Sequence, residues 1–137
     1  MPELQAFIGA WRVARDIEDA RAGTCARFAG RVTFTPDGAG LTYAEEGVLH
    51  LPGQAPMTAT RRYLWRDRAE GIAVLFDDGR PFHTIGAGLA PEAAHPCGPD
   101  LYEVSYNFTR WPEWQATWRV RGARKDYVML SHFVRDA

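Results

Sequence analysis

Imidazole, thiol and carboxylate fall within six positions in His95-Pro96-Cys97-Gly98-Pro99-Asp100. Completed by His83, such groups could hold zinc, which favours nitrogen and sulfur ligands in a tetrahedron. The spacing matches no paired C-x-x-C pattern, so no metal site is expected; Cys97 then packs as a small hydrophobe while His95 and Asp100 cap turns. A catalytic alternative makes His83 or His95 a general base oriented by Asp100, with Tyr102 or Tyr106 as donors. Cys97 would then be a nucleophile activated by His95. Haem would need a histidine at a barrel mouth or in a cavity, a place His83 could fill. Gly86-Ala87-Gly88 lacks the helix and lysine of a phosphate loop, and His50 and His132 read as structural groups.

These residues must be positioned by strands, because nearly every segment alternates apolar and polar side chains with period two. Only Pro2 to Ile8 reads as a short helical turn. Nine strands are expected, near 10–18, 25–35, 40–50, 57–66, 71–76, 81–86, 100–109, 114–121 and 126–135. Pro36-Asp37-Gly38 and Asp77-Asp78-Gly79-Arg80 carry hairpin turn chemistry; Trp111-Pro112-Glu113 and Gly122-Ala123-Arg124 link the late strands. Short links favour a single closed antiparallel up-and-down β-barrel over residues 1–137, since parallel strands need long crossovers. Gly86 to Pro99 breaks the pattern as a long Gly/Pro-rich connection of the kind that forms lids and binding loops.

Alternation also assigns faces. Tyr102, Val104, Tyr106 and Phe108 point inward, as do Trp114, Ala116, Trp118 and Val120, because the alternate positions hold the charges. The same parity places Phe28, Gly30, Val32 and Phe34 inside, with Trp11, Val13 and Ile17 from the first strand. It carries Arg15, Glu45 and Arg61 onto the core face, beside Tyr43, Tyr63 and Trp65. Buried charges need partners. Glu45 and Arg61 lie on adjacent strands and are expected to pair, leaving Arg15 with positive charge for a carboxylate or phosphate ligand. The alternative is that a bulge shifts the parity, or that these groups sit in water near a mouth.

Composition narrows the function. The 137 residues carry 16 Lys and Arg against 17 Asp and Glu, so nothing in the charge favours nucleic acid or an anionic membrane. No leader peptide or membrane-length apolar run is read, so a cytoplasmic protein with reduced Cys25 and Cys97 is expected.

Gly9-x-Trp11 after a short turn resembles the G-x-W pattern of lipocalins and related calycins. That resemblance implies that Trp11 closes one barrel end and that a basic residue of the last strand, here Arg135, packs on it. A longer resemblance runs through Arg15, Tyr43-x-Glu45-x-Gly47, Arg61-x-Tyr63-x-Trp65, Phe76-x-Asp78-Gly79-Arg80-x-Phe82-His83 and His95-x-Cys97-x-x-Asp100-x-Tyr102. It continues in Trp118-x-Val120-x-Gly122 and Lys125-Asp126-Tyr127. These residues resemble a bacterial domain-of-unknown-function family with a calycin-like barrel, which implies a fold but no reaction.

The sequence is therefore read as a barrel that binds a small polar or anionic, aromatic-compatible ligand. Its expected cavity residues are Arg15, Tyr43, Glu45, Arg61, Tyr63, His83, His95, Cys97, Asp100, Tyr102, Tyr106, Trp118, Lys125 and Tyr127. Two alternatives stand beside it: a small enzyme using His83, His95 and Asp100, and a structural module with a filled barrel that forms a homodimer. No cofactor is named by the residues.

Overall fold

The computed structural model describes residues 2–136. A 3-10 turn, Leu4–Phe7, leads into ten antiparallel strands: β1 Gly9–Asp19, β2 Thr24–Pro36, β3 Leu41–His50, β4 Met57–Arg68 and β5 Gly71–Phe76, followed by β6 Pro81–Ile85, β7 Glu92–Cys97, β8 Asp100–Asn107, β9 Trp114–Arg121 and β10 Asp126–Arg135. Consecutive strands pair from β1 to β6 and from β7 to β10, and β1 pairs with β10, so the sheet curls into an up-and-down barrel. The hydrogen-bonded order runs from β6 round to β7, and these two strands flank a seam without a ladder. The barrel is nearly closed.

The connection expected over 86–99 is shorter than the sequence suggested, because Glu92–Cys97 forms a tenth strand against β8. The peptide nitrogens of Tyr106 and Phe108 also bond to the carbonyls of Pro91 and Leu89, prolonging that pairing. Pro91 and Pro96 masked it. Proline lacks a donor and is tolerated on an edge strand, and β7 faces the seam. The hairpin turns follow their sequence chemistry: Asp78 Oδ1 accepts from the Arg80 peptide nitrogen beside Gly79 at φ 89°.

One barrel end is plugged by aromatics. Phe7 is fully buried, and its ring lies 4.9–6.4 Å from those of Trp11, Phe34, Trp65, Phe108, Trp111 and Trp114. Trp11 donates its indole N–H to the Phe7 carbonyl at 2.9 Å, tying strand β1 to the turn before it. The Arg135 guanidinium lies 4.0 Å from the Trp11 ring and donates to the Ile8 and Ala6 carbonyls. The closure implied by the lipocalin-like pattern is thus present.

The adjacent strands β2 and β3 place Gly30 and Gly47 directly opposite each other in register. A Cβ at Gly47 would lie 2.4 Å from the Ala29 carbonyl oxygen and 2.7 Å from the Phe28 ring. The glycines leave a notch that the inward Phe28 ring occupies. Because Phe7 joins six rings and has no solvent contact, Phe7→Ala leaves a cavity at the plug. We expect a loss of about 3–5 kcal/mol in equilibrium urea unfolding, with the far-ultraviolet spectrum of the folded protein unchanged.

Candidate functional site

Above the plug, the barrel interior turns polar. Arg15 on β1 and Glu45 on β3 are both buried and form a two-pronged ion pair, Nη1 to Oε2 at 2.9 Å and Nη2 to Oε1 at 2.7 Å. Arg15 Nε donates to Ser131 Oγ of β10 at 2.6 Å, and Tyr43 Oη donates to Glu45 Oε1 at 2.5 Å. The guanidinium also lies 5.0 Å from the Phe28 ring that fills the glycine notch. Burial alone would raise the Glu45 carboxyl, but the Arg15 hydrogen bonds and charge, with Tyr43 and Arg61, hold it below the usual carboxylate range. Burial likewise opposes the charge on Arg15, and Glu45 overcomes that too. Desolvation next to the carboxylate pushes Tyr43 well up, so it remains a neutral donor.

The expected Glu45–Arg61 ion pair is present only at the edge of contact range, and the carboxylate's hydrogen bonds go to Arg15 instead. Glu45 and Arg61 are opposite each other in register, yet Arg61 Nε lies 3.9 Å from Glu45 and its side chain is 42 % exposed. Parity identified the face but not the depth: Arg61 emerges near the mouth, while Arg15 lies deep and takes the carboxylate. Arg15 is therefore not left with unbalanced charge. Ser131 was missed, although Met129, Ser131 and Phe133 share the inward parity of β10 that could have revealed it.

Two adjoining chambers remain inside. The inner one is about 50 Å³; Arg15, Tyr43, Trp65, His83, Tyr106, Trp114 and Ser131 contribute to its wall. The outer one, about 350 Å³, is bounded by Phe76, His95, Cys97, Tyr102, Tyr127 and Met129. Arg61, Tyr63, Phe82 and Trp118 line both. Phe82 forms the partition: its ring stacks on Trp118 at 5.0 Å and 9°, and on Phe76 at 4.4 Å and 23°.

A bulge makes this partition. Val74 pairs with His83, and Leu75 pairs with Pro81, so Phe82 has no opposite number. In a regular strand Phe82 and His83 would point to opposite faces; the extra residue lets both line the inner chamber. Period-two reading has no means of finding such a pair.

His83 Nε2 lies 2.8 Å from Tyr106 Oη. Burial, helped by nearby His95, lowers the imidazole to about 3, so His83 is neutral at physiological pH. Burial and Tyr63 push Tyr106 upward. Asp100 does not orient either histidine. Its carboxylate lies 3.3 Å from Lys125 Nζ, which also donates to Tyr102 Oη at 2.8 Å. The His–Asp arrangement of the catalytic alternative is therefore not formed.

His95 packs edge-on against Phe82 and Phe76 across the seam. Cys25 and Cys97 are free exposed thiols, Cys97 at the rim of the outer chamber. Among the described residues, no three His, Cys, Asp or Glu side chains gather as metal ligands, and Cys97 faces solvent rather than packing inside. His50 is exposed, and His132 lies 3.5 Å from Glu113. Lys125 braces the mouth through Asp100 and Tyr102, and Asp126 turns instead to Arg119. At the same opening, burial raises Tyr127. Glu45, Asp100 and Lys125 stand behind the chamber walls; the other expected cavity residues line one chamber or both.

Residues 7–135 match the model of a family of unknown function, DUF6314, and the chain belongs to that family. No curated protein matches it. Among solved structures it is similar to the S-type phycobiliprotein lyase CPES from Guillardia theta, at 12 % identity and a TM-score of 0.67. That likeness covers 98 % of this chain and 90 % of the other, and extends to the barrel fold. No helix among the described residues is long and apolar enough to cross a membrane.

Two predictions follow from the buried polar groups. Glu45→Gln strands a buried guanidinium and is expected to cost about 3–5 kcal/mol in denaturant unfolding. In the wild type the lowered Glu45 pKa contributes stability that is full above the unfolded carboxyl range and lost as pH falls through the folded value. His83 acts in the same direction at higher pH. Its unfolded form takes a proton below about pH 6.5 while the folded form does not until about pH 3. Between those values stability should fall by about 1.4 kcal/mol per pH unit from this group alone. His83→Phe should flatten that slope between about pH 6.5 and about pH 5, as read by urea unfolding at successive pH values.

Proposed function

For this member of a family of unknown function, we propose that residues 1–137 act as one barrel domain that binds a planar, anionic small molecule in the outer chamber. The observation that carries the reading is Arg61. Its guanidinium stands in the wall of an aromatic cavity, and its nearest carboxylate is held bidentately by Arg15. A ligand anion would give Arg61 the charge-assisted hydrogen bonds it otherwise finds only in water.

The cavity volume suits that occupant. Ligand pockets commonly measure about 300–1,000 Å³ and combine apolar walls with a few placed polar groups. Here Trp118, Phe76 and Phe82 offer flat faces, while Tyr102, Tyr127 and Arg61 supply polar edges. Lys125 adds positive charge behind Tyr102, partly balanced by Asp100. The phycobiliprotein lyase resembles this chain in fold and, by its name, acts on a phycobiliprotein, with which a barrel that receives a small molecule is in keeping.

The test is fluorescence titration with 1-anilinonaphthalene-8-sulfonate. Arg61→Ala should weaken binding about tenfold or more, since a hydrogen bond to a charged group contributes about 1.5–3 kcal/mol. Arg12→Ala, on the exposed face of β1, should leave affinity unchanged. Equal affinities for the Arg61 and Arg12 variants would refute the reading.

A further inference from the structure

Three buried side-chain nitrogens have no hydrogen-bond partner among the described residues: Trp65 Nε1, Trp114 Nε1 and His83 Nδ1. All three residues line the inner chamber. Trp65 and Trp114 are 3 % and 2 % exposed, so solvent does not satisfy their N–H groups. Buried polar groups are nearly always paired, and leaving one unmade costs about 1–3 kcal/mol. Their concentration around one small space points to something that the space receives.

The chemistry of the wall narrows the occupant. An indole N–H can only donate. The nearby carboxylate is turned to other donors, since Glu45 takes two bonds from Arg15 and one from Tyr43 and none from an indole. Ser131 Oγ accepts from Arg15, leaving its hydroxyl proton free to donate. The residues of this wall therefore hold unmet donors, the two indole N–H groups together with His83 Nδ1 in the tautomer whose Nε2 accepts from Tyr106, and they call for an acceptor. A second anion is disfavoured there, since Arg15 is neutralised by Glu45 and a bare buried charge is expensive. A neutral carbonyl oxygen meets the requirement, and a space of about 50 Å³ admits a group of that size.

Resting on the reading of the outer chamber as an anion-binding aromatic pocket, we propose that the inner chamber is a carbonyl subsite. Its ligand is a planar aromatic compound with an anionic group held at Arg61 and a carbonyl oxygen directed inward to the indole N–H groups of Trp65 and Trp114. Tyr63, Phe82 and Trp118, which belong to both walls, would flank the ring system between the two ends.

A matched pair of probes tests this: anthraquinone-2-sulfonate, with ring carbonyls, and anthracene-2-sulfonate, without them. By isothermal titration calorimetry the quinone should bind the wild-type protein at least fivefold more tightly. Trp65→Phe and Trp114→Phe should remove that preference while leaving anthracene-2-sulfonate affinity within twofold. Arg61→Ala should weaken both probes alike. Proton–nitrogen correlation spectra of the ¹⁵N-tryptophan-labelled wild type provide a readout independent of whether the variants fold. Two indole N–H resonances should shift with the quinone and stay in place with the hydrocarbon analogue. If both probes bind with equal affinity, depend on Arg61 and leave the indole signals alike, water fills the inner chamber and the carbonyl subsite is overturned while the outer pocket stands. If neither probe binds, or binding is indifferent to Arg61, the outer-pocket reading fails and takes the subsite with it.

Discussion

A guanidinium and a carboxylate removed from water must meet in good geometry, or the barrel holding them is destabilised. Arg15 and Glu45 satisfy that requirement through contributions from several strands. Strand β1 supplies the cation and β3 the anion; β10 offers Ser131, and Tyr43 closes the remaining carboxylate site. Phe28, seated over Gly30 and Gly47, gives the guanidinium an aromatic face. The pair thereby ties together strands that a ladder alone connects only through intermediates. It also decides what is left for a ligand. With Glu45 committed to Arg15, the free positive charge moves outward to Arg61, and the interior below it is neutral and rich in donors.

The interior is consequently graded along the barrel axis. A dry aromatic plug around Phe7 and Trp11 occupies one end. The ion pair and a small polar chamber follow, then the Phe82 partition, and finally a wider aromatic chamber edged by Arg61, Tyr102 and Tyr127. His83 and Tyr106 belong to the polar level, where burial favours the neutral form of both. A ligand crossing the partition would meet a cation first and neutral donors afterwards, so the two ends of such a molecule must differ in charge.

Much of this was legible in the sequence because alternation is a strict geometric rule. Trp114, Ala116 and Val120 read as inward and are buried; Arg15 and Glu45 read as inward against their chemistry and are buried as well. Depth and reach lay beyond that rule. Arg61 shares the face of Glu45 but lies at the opening, and the length of Arg15 carries its guanidinium to β3 and β10. Strand β7 was hidden by Pro91 and Pro96, whose missing donors an edge strand tolerates. The Phe82 bulge breaks the alternation that the reading relied on. The orphaned indole nitrogens arise from three-dimensional convergence, and no spacing along the chain announces them.

The seam between β6 and β7 gives the barrel an uneven stiffness. Nine neighbouring strand pairs are joined by backbone ladders, whereas β6 and β7 meet through side chains such as Phe82 against His95, with His83 reaching past the seam to Tyr106 of β8. Displacing a ladder requires breaking several peptide hydrogen bonds together, while parting the seam sacrifices a few side-chain contacts. Thermal breathing of the ring is therefore concentrated along one line of the wall. That line runs beside Phe82, so the softest direction of the barrel is also the one that widens the passage between its two chambers.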